Sequence, residues 1–192
     1  MSELLMALAD GGLEEELDHL LEISTQAGIL CCTAMIEAGA HCTSIGDSTA
    51  GPDVISPAMY GRYAMRYERE LIRAVHKEGG LVALHICGNA TGIIGQMAET
   101  EADILEIDQK TDLAGVWPAV KGRVAILGQI SPVSLMNGTP QQVTAETEAM
   151  LRTVGGKKAT GVIPGPRVCV AVRLLLKTSG RCWERVLEGG RC

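Results

Sequence analysis

Short apolar segments alternate with helical segments along this chain, and this alternation restricts the fold more than any other feature. The segments with strand character are residues 41–47, 81–85, 102–107, 124–127 and 160–163. Helical patterns precede or separate them, over residues 13–38, from Ser56-Pro57 to the Gly79-Gly80 stop, and over residues 91–100, 111–120 and 139–154. Five strands joined by helices predict parallel β/α units, because parallel neighbours need a long crossover connection.

The spacing of the strands predicts a barrel rather than an open sheet. Successive strands are roughly 20 to 40 residues apart, which is near-even spacing for β/α units. An eight-stranded TIM (β/α)8 barrel takes about 250 residues, whereas this chain has 192. We therefore expect an α/β fold that is an incomplete TIM barrel of about five β/α units. Because the sequence starts in a helical pattern, the missing units would precede Met1.

The segment His85-Ile86-Cys87-Gly88 lies where the second predicted strand ends, and it carries two metal-binding side chains. Side chains two residues apart in a strand lie on one face, so His85 and Cys87 can contact the same ion. Imidazole and thiolate together suit zinc, and a site with fewer than four protein ligands leaves a position for a substrate atom. The alternative is a buried cysteine beside a histidine that the core satisfies, and it is the commoner meaning of the pattern alone.

The composition argues against several kinds of partner. The formal net charge is −6, the pI is near 5.2 and phenylalanine is absent, which argues against a nucleic-acid surface. No continuous apolar run reaches the roughly 18 residues of a membrane helix, and the N-terminus lacks a signal-peptide pattern. The seven cysteines are odd in number and include the adjacent pair Cys31-Cys32, a poor basis for a disulfide framework. We expect a cytoplasmic protein without nucleic-acid or membrane partners.

Three further segments accompany the His85-Ile86-Cys87-Gly88 motif. They are residues 45–57 (IGDSTAGPDVISP), 102–108 (ADILEID) and 128–132 (GQISP). In this order and spacing the four segments resemble the uroporphyrinogen decarboxylase superfamily, over residues 13 to about 165. The motif is similar to that of the zinc-dependent methylcobalamin:coenzyme M methyltransferases, whereas uroporphyrinogen decarboxylases are metal-free and lack it. Cobalamin-independent methionine synthases share a similar ligand layout, but the loops of this chain are closer to the coenzyme M group.

The resemblance implies site residues, cofactors and partners. It implies three zinc ligands, namely His85, Cys87 and, as the first cysteine after the fifth strand, Cys169. It implies four substrate-binding side chains, namely Asp47, Asn89, Asp108 and Gln129. Helix capping or a loop position stays open as the alternative for Asp47, Asn89 and Asp108. The implied reaction moves a methyl group from methylcobalamin, or a corrinoid protein, to a small-molecule thiol such as coenzyme M.

The sequence departs from the family pattern in two places. Ser131 stands where the family has an aspartate, and Gln129 replaces an asparagine. We divide the chain into a barrel portion, residues 1–165, and an atypical tail, residues 166–192, that holds three cysteines and five arginines. A shifted reading frame is our hypothesis for the tail, because residues 174–181 can be recoded in a shifted frame as the family's last-helix signature. The coding DNA with its flanks would test this hypothesis.

Two other functions stay open at this point. One is a metal-free, uroporphyrinogen decarboxylase-like enzyme that acts on a tetrapyrrole in porphyrin biosynthesis, and a metal assay separates it from the methyltransferase. The other is an inactive, truncated remnant, for which the open strand edges of an incomplete barrel would favour self-association.

Overall fold

The computed structural model describes Met6, residues 13–156 and residues 159–166. These residues form a five-stranded sheet that packs against helices. The elements in chain order are α1 (Glu14–Glu37), β1 (Cys42–Gly46), α2 (Pro57–Tyr60), a π-helix (Gly61–Met65), α3 (Arg66–Lys77), β2 (Leu81–Ile86), a 3₁₀ helix (Ala90–Gly92), α4 (Ile94–Glu99), β3 (Ile104–Ile107), α5 (Leu113–Val120), β4 (Ala125–Ile130), α6 (Pro132–Asn137), α7 (Pro140–Thr153) and β5 (Val162–Pro166).

All five strands are parallel, and their spatial order is their chain order, β1-β2-β3-β4-β5. The pairing register joins Gly46 to His85, His85 to Glu106 and Glu106 to Leu127 across the first four strands. A doubly wound open sheet would instead reverse its strand order at a switch point. An uninterrupted order with helical connections is an arc of a (β/α)8 barrel, so the predicted α/β fold, an incomplete TIM barrel, is confirmed.

The core lies between the outer face of the sheet and the helices. The strand side chains that reach it are fully buried, namely Val82, Leu84, Ile86, Leu105, Ile107 and Ile126. Each aliphatic side chain buried in this way contributes about 1.5–3 kcal/mol. Because side chains alternate along a strand, His85, between Leu84 and Ile86, faces the inner side of the barrel arc.

The connection from β1 to β2 is a helix in three parts. Ser56 caps α2 by accepting the N–H of Met59 at 3.2 Å, and Pro57 occupies the first turn, as the sequence predicted. The π-helix then separates Tyr60 from Glu68, and both side chains are buried. The Tyr60 hydroxyl donates to Oε2 of Glu68 at 2.6 Å. Burial raises the pKa of Glu68 to about 8.

Several element boundaries differ from the sequence prediction, and β4, which spans Ala125–Ile130 rather than residues 124–127, is one of them. Strand β5 spans Val162–Pro166 rather than residues 160–163, and the helix predicted over residues 91–100 divides into the 3₁₀ helix and α4. Helix α6 was not predicted, although Ser131 caps it and Pro132 opens it, the same signal as at Ser56-Pro57. With six residues, α6 is too short to show a helical period.

Helix α1 is the one helix among the described residues that is long and apolar enough to cross a membrane. Its best 18-residue window has a mean hydropathy of 1.3 and is 11% buried. This criterion tolerates up to two charged residues in the window, so α1 meets it although no continuous apolar run of the sequence reaches 18 residues. One side of α1 contacts α3 and β1, as an outer helix of a barrel does. Large exposed apolar side chains of α1 are Leu20, Ile23, Leu30 and Met35.

Candidate metal centre

The structure places six of the predicted site residues at one edge of the sheet. They are Asp47 after β1, His85, Cys87 and Asn89 at the end of β2, Asp108 after β3 and Gln129 in β4. This is the C-terminal edge of the parallel strands, where barrel enzymes build their active sites. Cys169, the predicted third zinc ligand, lies outside the described residues.

His85 and Cys87 lie side by side on the inner face of the sheet. The Nε2 atom of His85 is 3.2 Å from the Sγ atom of Cys87. The imidazole is buried, with 5% of His85 exposed. Cys87 is half-buried, and its thiol is not part of a disulfide. The alternation of side chains along β2 therefore brings both candidate ligands together, as their spacing predicted.

A main-chain acceptor on the neighbouring strand orients the His85 ring. Its Nδ1 atom lies 3.2 Å from the carbonyl oxygen of Glu106. Because a carbonyl oxygen only accepts, this hydrogen bond requires the proton on Nδ1. In the neutral imidazole, Nε2 then carries the lone pair on the side of Cys87. This is the arrangement in which histidine binds a metal through one nitrogen and is held through the other.

Glu106 is a residue of this site that the sequence analysis missed. Its side chain is buried, Oε2 lies 3.8 Å from Nδ1 of His85, and Oε1 lies 3.5 Å from Oγ of Ser44. No described residue makes a hydrogen bond to Oε2. A buried carboxylate oxygen in this position costs free energy unless a cation or a water molecule compensates it. The sequence did contain a signal, because Glu106 is a charge inside an otherwise apolar strand.

The donors around His85 fit zinc in type. An imidazole lone pair, a thiol sulfur and a buried carboxylate oxygen are all groups that this ion binds. The described residues contain no group of three or more His, Cys, Asp or Glu side chains placed to hold a metal ion. They therefore supply two adjacent donors, His85 and Cys87, with the Glu106 carboxylate next to the imidazole.

The backbone turn after Cys87 is packed closely against other loops of the same edge. Gly88 has a φ of +85°, and its N–H donates to Oδ2 of Asp108 at 3.2 Å. A Cβ atom at Gly88 would clash with the carboxylate of Asp53. On the other side, Gly51 lies against the carbonyl oxygen of Cys87, at a distance that leaves no room for a Cβ atom. The exposed Asp53 side chain can shift to relieve such a contact, so the positive φ is what favours glycine at position 88.

The predicted substrate-binding side chains differ in their contacts. Oδ1 of Asn89 accepts the N–H of Thr91 at 3.1 Å and caps the 3₁₀ helix, which is the capping alternative. Nε2 of Gln129 donates to the carbonyl oxygens of Thr111 at 2.6 Å and of Asp108 at 3.3 Å. Burial raises the pKa of the Asp47 carboxyl group. Substrate contact by any of these residues stays a prediction.

Comparison with known proteins identifies the family of the chain. The sequence pattern of the uroporphyrinogen decarboxylase (URO-D) family matches residues 12–172. The methylcobamide:CoM methyltransferase MtbA of Methanosarcina mazei is 31% identical over 139 residues, which are 72% of this chain and 41% of that protein. The methylcobamide:CoM methyltransferase MtaA of Methanosarcina barkeri is 32% identical over 136 residues, 70% of this chain and 39% of that protein. A uroporphyrinogen decarboxylase of Synechococcus sp. is 30% identical over 138 residues, 68% of this chain and 38% of that protein.

A solved structure extends the similarity to the fold. A methyltransferase from Methanosarcina mazei superposes with a TM-score of 0.68 at 25% identity, covering 84% of this chain and 48% of that chain. The fold and the residues at its C-terminal edge define a protein of the β/α-barrel class. The chain belongs to the uroporphyrinogen decarboxylase family, whose members include methyltransferases and decarboxylases. It spans about two fifths of the length of the curated relatives it matches.

Proposed function

We propose that this chain carries the zinc-binding part of a methyltransferase that moves a methyl group from methylcobalamin, or another corrinoid, to a thiol such as coenzyme M. The observation that carries the proposal is the 3.2 Å contact between Nε2 of His85 and Sγ of Cys87 at the C-terminal edge of the sheet. The names of two relatives, both methylcobamide:CoM methyltransferases, support the choice of reaction.

Each residue of the site has a defined task in this proposal. His85 would hold the metal through Nε2, while its Nδ1–H donates to the carbonyl oxygen of Glu106 and fixes the ring. Cys87 would bind as the thiolate, and Cys169 would be the third ligand. When bound, zinc supplies a Lewis acid that keeps a thiol deprotonated at neutral pH.

The remaining groups of the edge would shape the substrate site. Asp47 is our candidate for direct contact with substrate, because its carboxyl group is partly buried at the end of β1. Asn89, Asp108 and Gln129 would act mainly by fixing the loops, since each makes a hydrogen bond to the backbone.

A small thiol and a corrinoid protein are the proposed partners of the chain. The cytoplasm is its proposed location, and residues 1–165 are its proposed barrel portion.

A metal-free decarboxylase acting on a tetrapyrrole is the second candidate. The observation in its favour is the 30% identity to a uroporphyrinogen decarboxylase, close to the identities with the two methyltransferases. The two candidates differ in one measurable property. The methyltransferase requires a metal at His85 and Cys87, whereas the decarboxylase leaves both side chains without a ligand role.

The test is zinc content and affinity of the purified chain. We expect about one zinc per chain by elemental analysis, and His85→Ala or Cys87→Ser should each weaken binding severely, because loss of a ligand removes both charge and geometry. Replacement of zinc by Co²⁺ should give a thiolate-to-metal absorption band that Cys87→Ser abolishes.

Matched controls use the same substitutions away from the edge. His41→Ala and Cys31→Ser remove an exposed histidine and an exposed cysteine, and both variants should keep the zinc content of the wild type. Equal zinc content in the wild type and in both ligand variants would overturn the metal site and favour the decarboxylase.

A further inference from the structure

The side chain of Thr111 makes two hydrogen bonds to the turn that follows Cys87. Its Oγ1 atom accepts the N–H of Ala90 at 3.1 Å and donates to the carbonyl oxygen of Gly88 at 3.4 Å. The side chain is buried, with 3% of the residue exposed. A single hydroxyl group from the loop after β3 therefore satisfies two main-chain groups of the turn after β2.

The loop that carries Thr111 is itself fixed by the next strand. The N–H of Thr111 donates to the carbonyl oxygen of Asp108 at 3.0 Å. The Gln129 amide in β4 donates to the carbonyl oxygen of Thr111 at 2.6 Å. A continuous set of hydrogen bonds thus runs from β4, through the loop after β3, to the turn beside Cys87.

The two candidate ligands differ in what holds them. His85 lies inside β2, paired in register with Gly46 and Glu106, and its carbonyl oxygen accepts the N–H of Asp47 at 2.9 Å. Cys87 lies one residue beyond the end of β2. Its backbone position therefore depends on the turn that Thr111 holds, whereas the position of His85 does not.

We propose that Thr111 is a positioning residue for the Cys87 thiol, because its hydroxyl forms hydrogen bonds to the main chain of Gly88 and Ala90 in the turn. The proposal rests on the zinc site proposed above. Without the hydroxyl, the Asp108 carboxylate still accepts the N–H of Gly88 at 3.2 Å, but the carbonyl oxygen of Gly88 and the N–H of Ala90 lose their partner. The turn can then move relative to β2, and the Sγ of Cys87 is held less firmly at its distance from Nε2 of His85. A ligand set that is less well organised before binding has a lower metal affinity.

A buried threonine elsewhere in the chain offers a matched control. Thr100 is fully buried. Its Oγ1 donates to the carbonyl oxygen of Met97 at 2.6 Å and accepts the N–H of Ala102 at 3.3 Å. It makes the same two kinds of hydrogen bond as Thr111, but it precedes β3 and so lies at the opposite edge of the sheet. Loss of either hydroxyl leaves two main-chain groups without their hydrogen-bond partner, so both valine variants should lose stability.

The experiment compares Thr111→Val, Thr111→Ser and Thr100→Val in the full chain. Zinc affinity is measured by competition with a chromophoric chelator, and the geometry is read from the thiolate-to-Co²⁺ absorption band. We expect Thr111→Val to bind zinc about 10- to 100-fold more weakly and to shift the band. Thr111→Ser keeps the hydroxyl and should stay near the wild type. Thr100→Val should lose stability but keep the affinity and the band.

A second readout needs no metal. The alkylation rate of Cys87 in the metal-free chain, followed by mass spectrometry of its peptide, should change in Thr111→Val and stay at the wild-type value in Thr111→Ser and Thr100→Val. Equal rates and affinities in Thr111→Val and the wild type would overturn the positioning role. If the wild type binds no zinc through Cys87, the proposed function fails, and the alkylation rates still decide whether Thr111 positions the thiol.

Discussion

The imidazole of His85 and the carboxylate of Glu106 face each other across two neighbouring strands, with Nδ1 3.8 Å from Oε2. The two residues are partners in the register of β2 and β3, although they lie 21 positions apart in the chain. Both side chains are buried. A cation bound by His85 and Cys87 would therefore lie near a negative charge in a region of low dielectric, where charges interact strongly.

The Glu106 carboxylate should strengthen metal binding. We expect Glu106→Gln, which keeps the shape and removes the charge, to lower zinc affinity by about 10- to 100-fold. Chelator competition measures the effect. Glu148→Gln is the control, because it changes the net charge equally from an exposed position on α7. Unchanged affinity in Glu106→Gln would show that the carboxylate does not act on the metal.

The sequence predicted the strands and the edge of the site because these depend on local pattern. The run before His85 is apolar and continuous, and a strand buried on its outer face needs no partner information to be recognised. The spacing of His85 and Cys87 then placed both side chains on one face. The same reasoning placed Asp47, Asp108 and Gln129 at the C-terminal ends of their strands.

The hydrogen bonds within the site could not be predicted from the sequence. Gln129 looked like a group available to a substrate, yet its amide donates to carbonyl oxygens 18 and 21 positions earlier in the chain. The hydrogen bonds of the Thr111 hydroxyl likewise reach Ala90 and Gly88, which lie 21 and 23 positions earlier in the chain. Such contacts depend on how adjacent loops fold over the edge of the sheet, and no sequence period records them.

Gly88 should be intolerant of a side chain for a reason that involves the metal site. A residue other than glycine with this φ costs about 1–2 kcal/mol, so Gly88→Ala should lower the free energy of unfolding by roughly that amount. Because Gly88 directly follows Cys87, a backbone adjustment that relieves this φ should also displace the thiol and weaken zinc binding. Urea unfolding and chelator competition measure the two effects.

Gly79 provides the matched comparison for Gly88. It has a φ of +78°, and a Cβ there would meet no atom within 4 Å. Gly79→Ala should therefore show a similar loss of stability, with the zinc affinity of the wild type. If both alanine variants bind zinc equally weakly, general destabilisation explains the loss and the placement of Cys87 does not.

The apolar side of α1 should cause self-association of the purified chain. Leu30 is 71% exposed and Ile23 is 55% exposed, and residues seven apart lie on the same helical face. We expect the double variant Ile23→Glu and Leu30→Glu to reduce the mean mass in sedimentation velocity without lowering the Tm. Val133→Glu, which changes an exposed residue on α6, should leave the mass unchanged. An unchanged mass in the double variant would exclude this face as the contact.

Glu68 should make the stability of the fold fall as the pH rises. Its pKa in the folded chain is raised to about 8 by burial, above its ordinary value of 4.5. The folded chain therefore keeps a proton that the unfolded chain releases from about pH 4.5 upward. The stabilisation is fully present below about pH 4.5 and is lost as the pH rises through about 8. The limiting slope for one group is about 1.4 kcal/mol per pH unit.

Replacement of the carboxyl group by an amide isolates this effect. Glu68→Gln keeps an acceptor for the Tyr60 hydroxyl but cannot ionise, so its unfolding free energy should change less between pH 5 and pH 8 than that of the wild type. Glu70→Gln alters an exposed carboxylate two residues further along α3 and should keep the wild-type pH dependence. Urea unfolding at four pH values measures the slopes. Parallel curves for Glu68→Gln and the wild type would mean that Glu68 does not retain its proton in the folded chain.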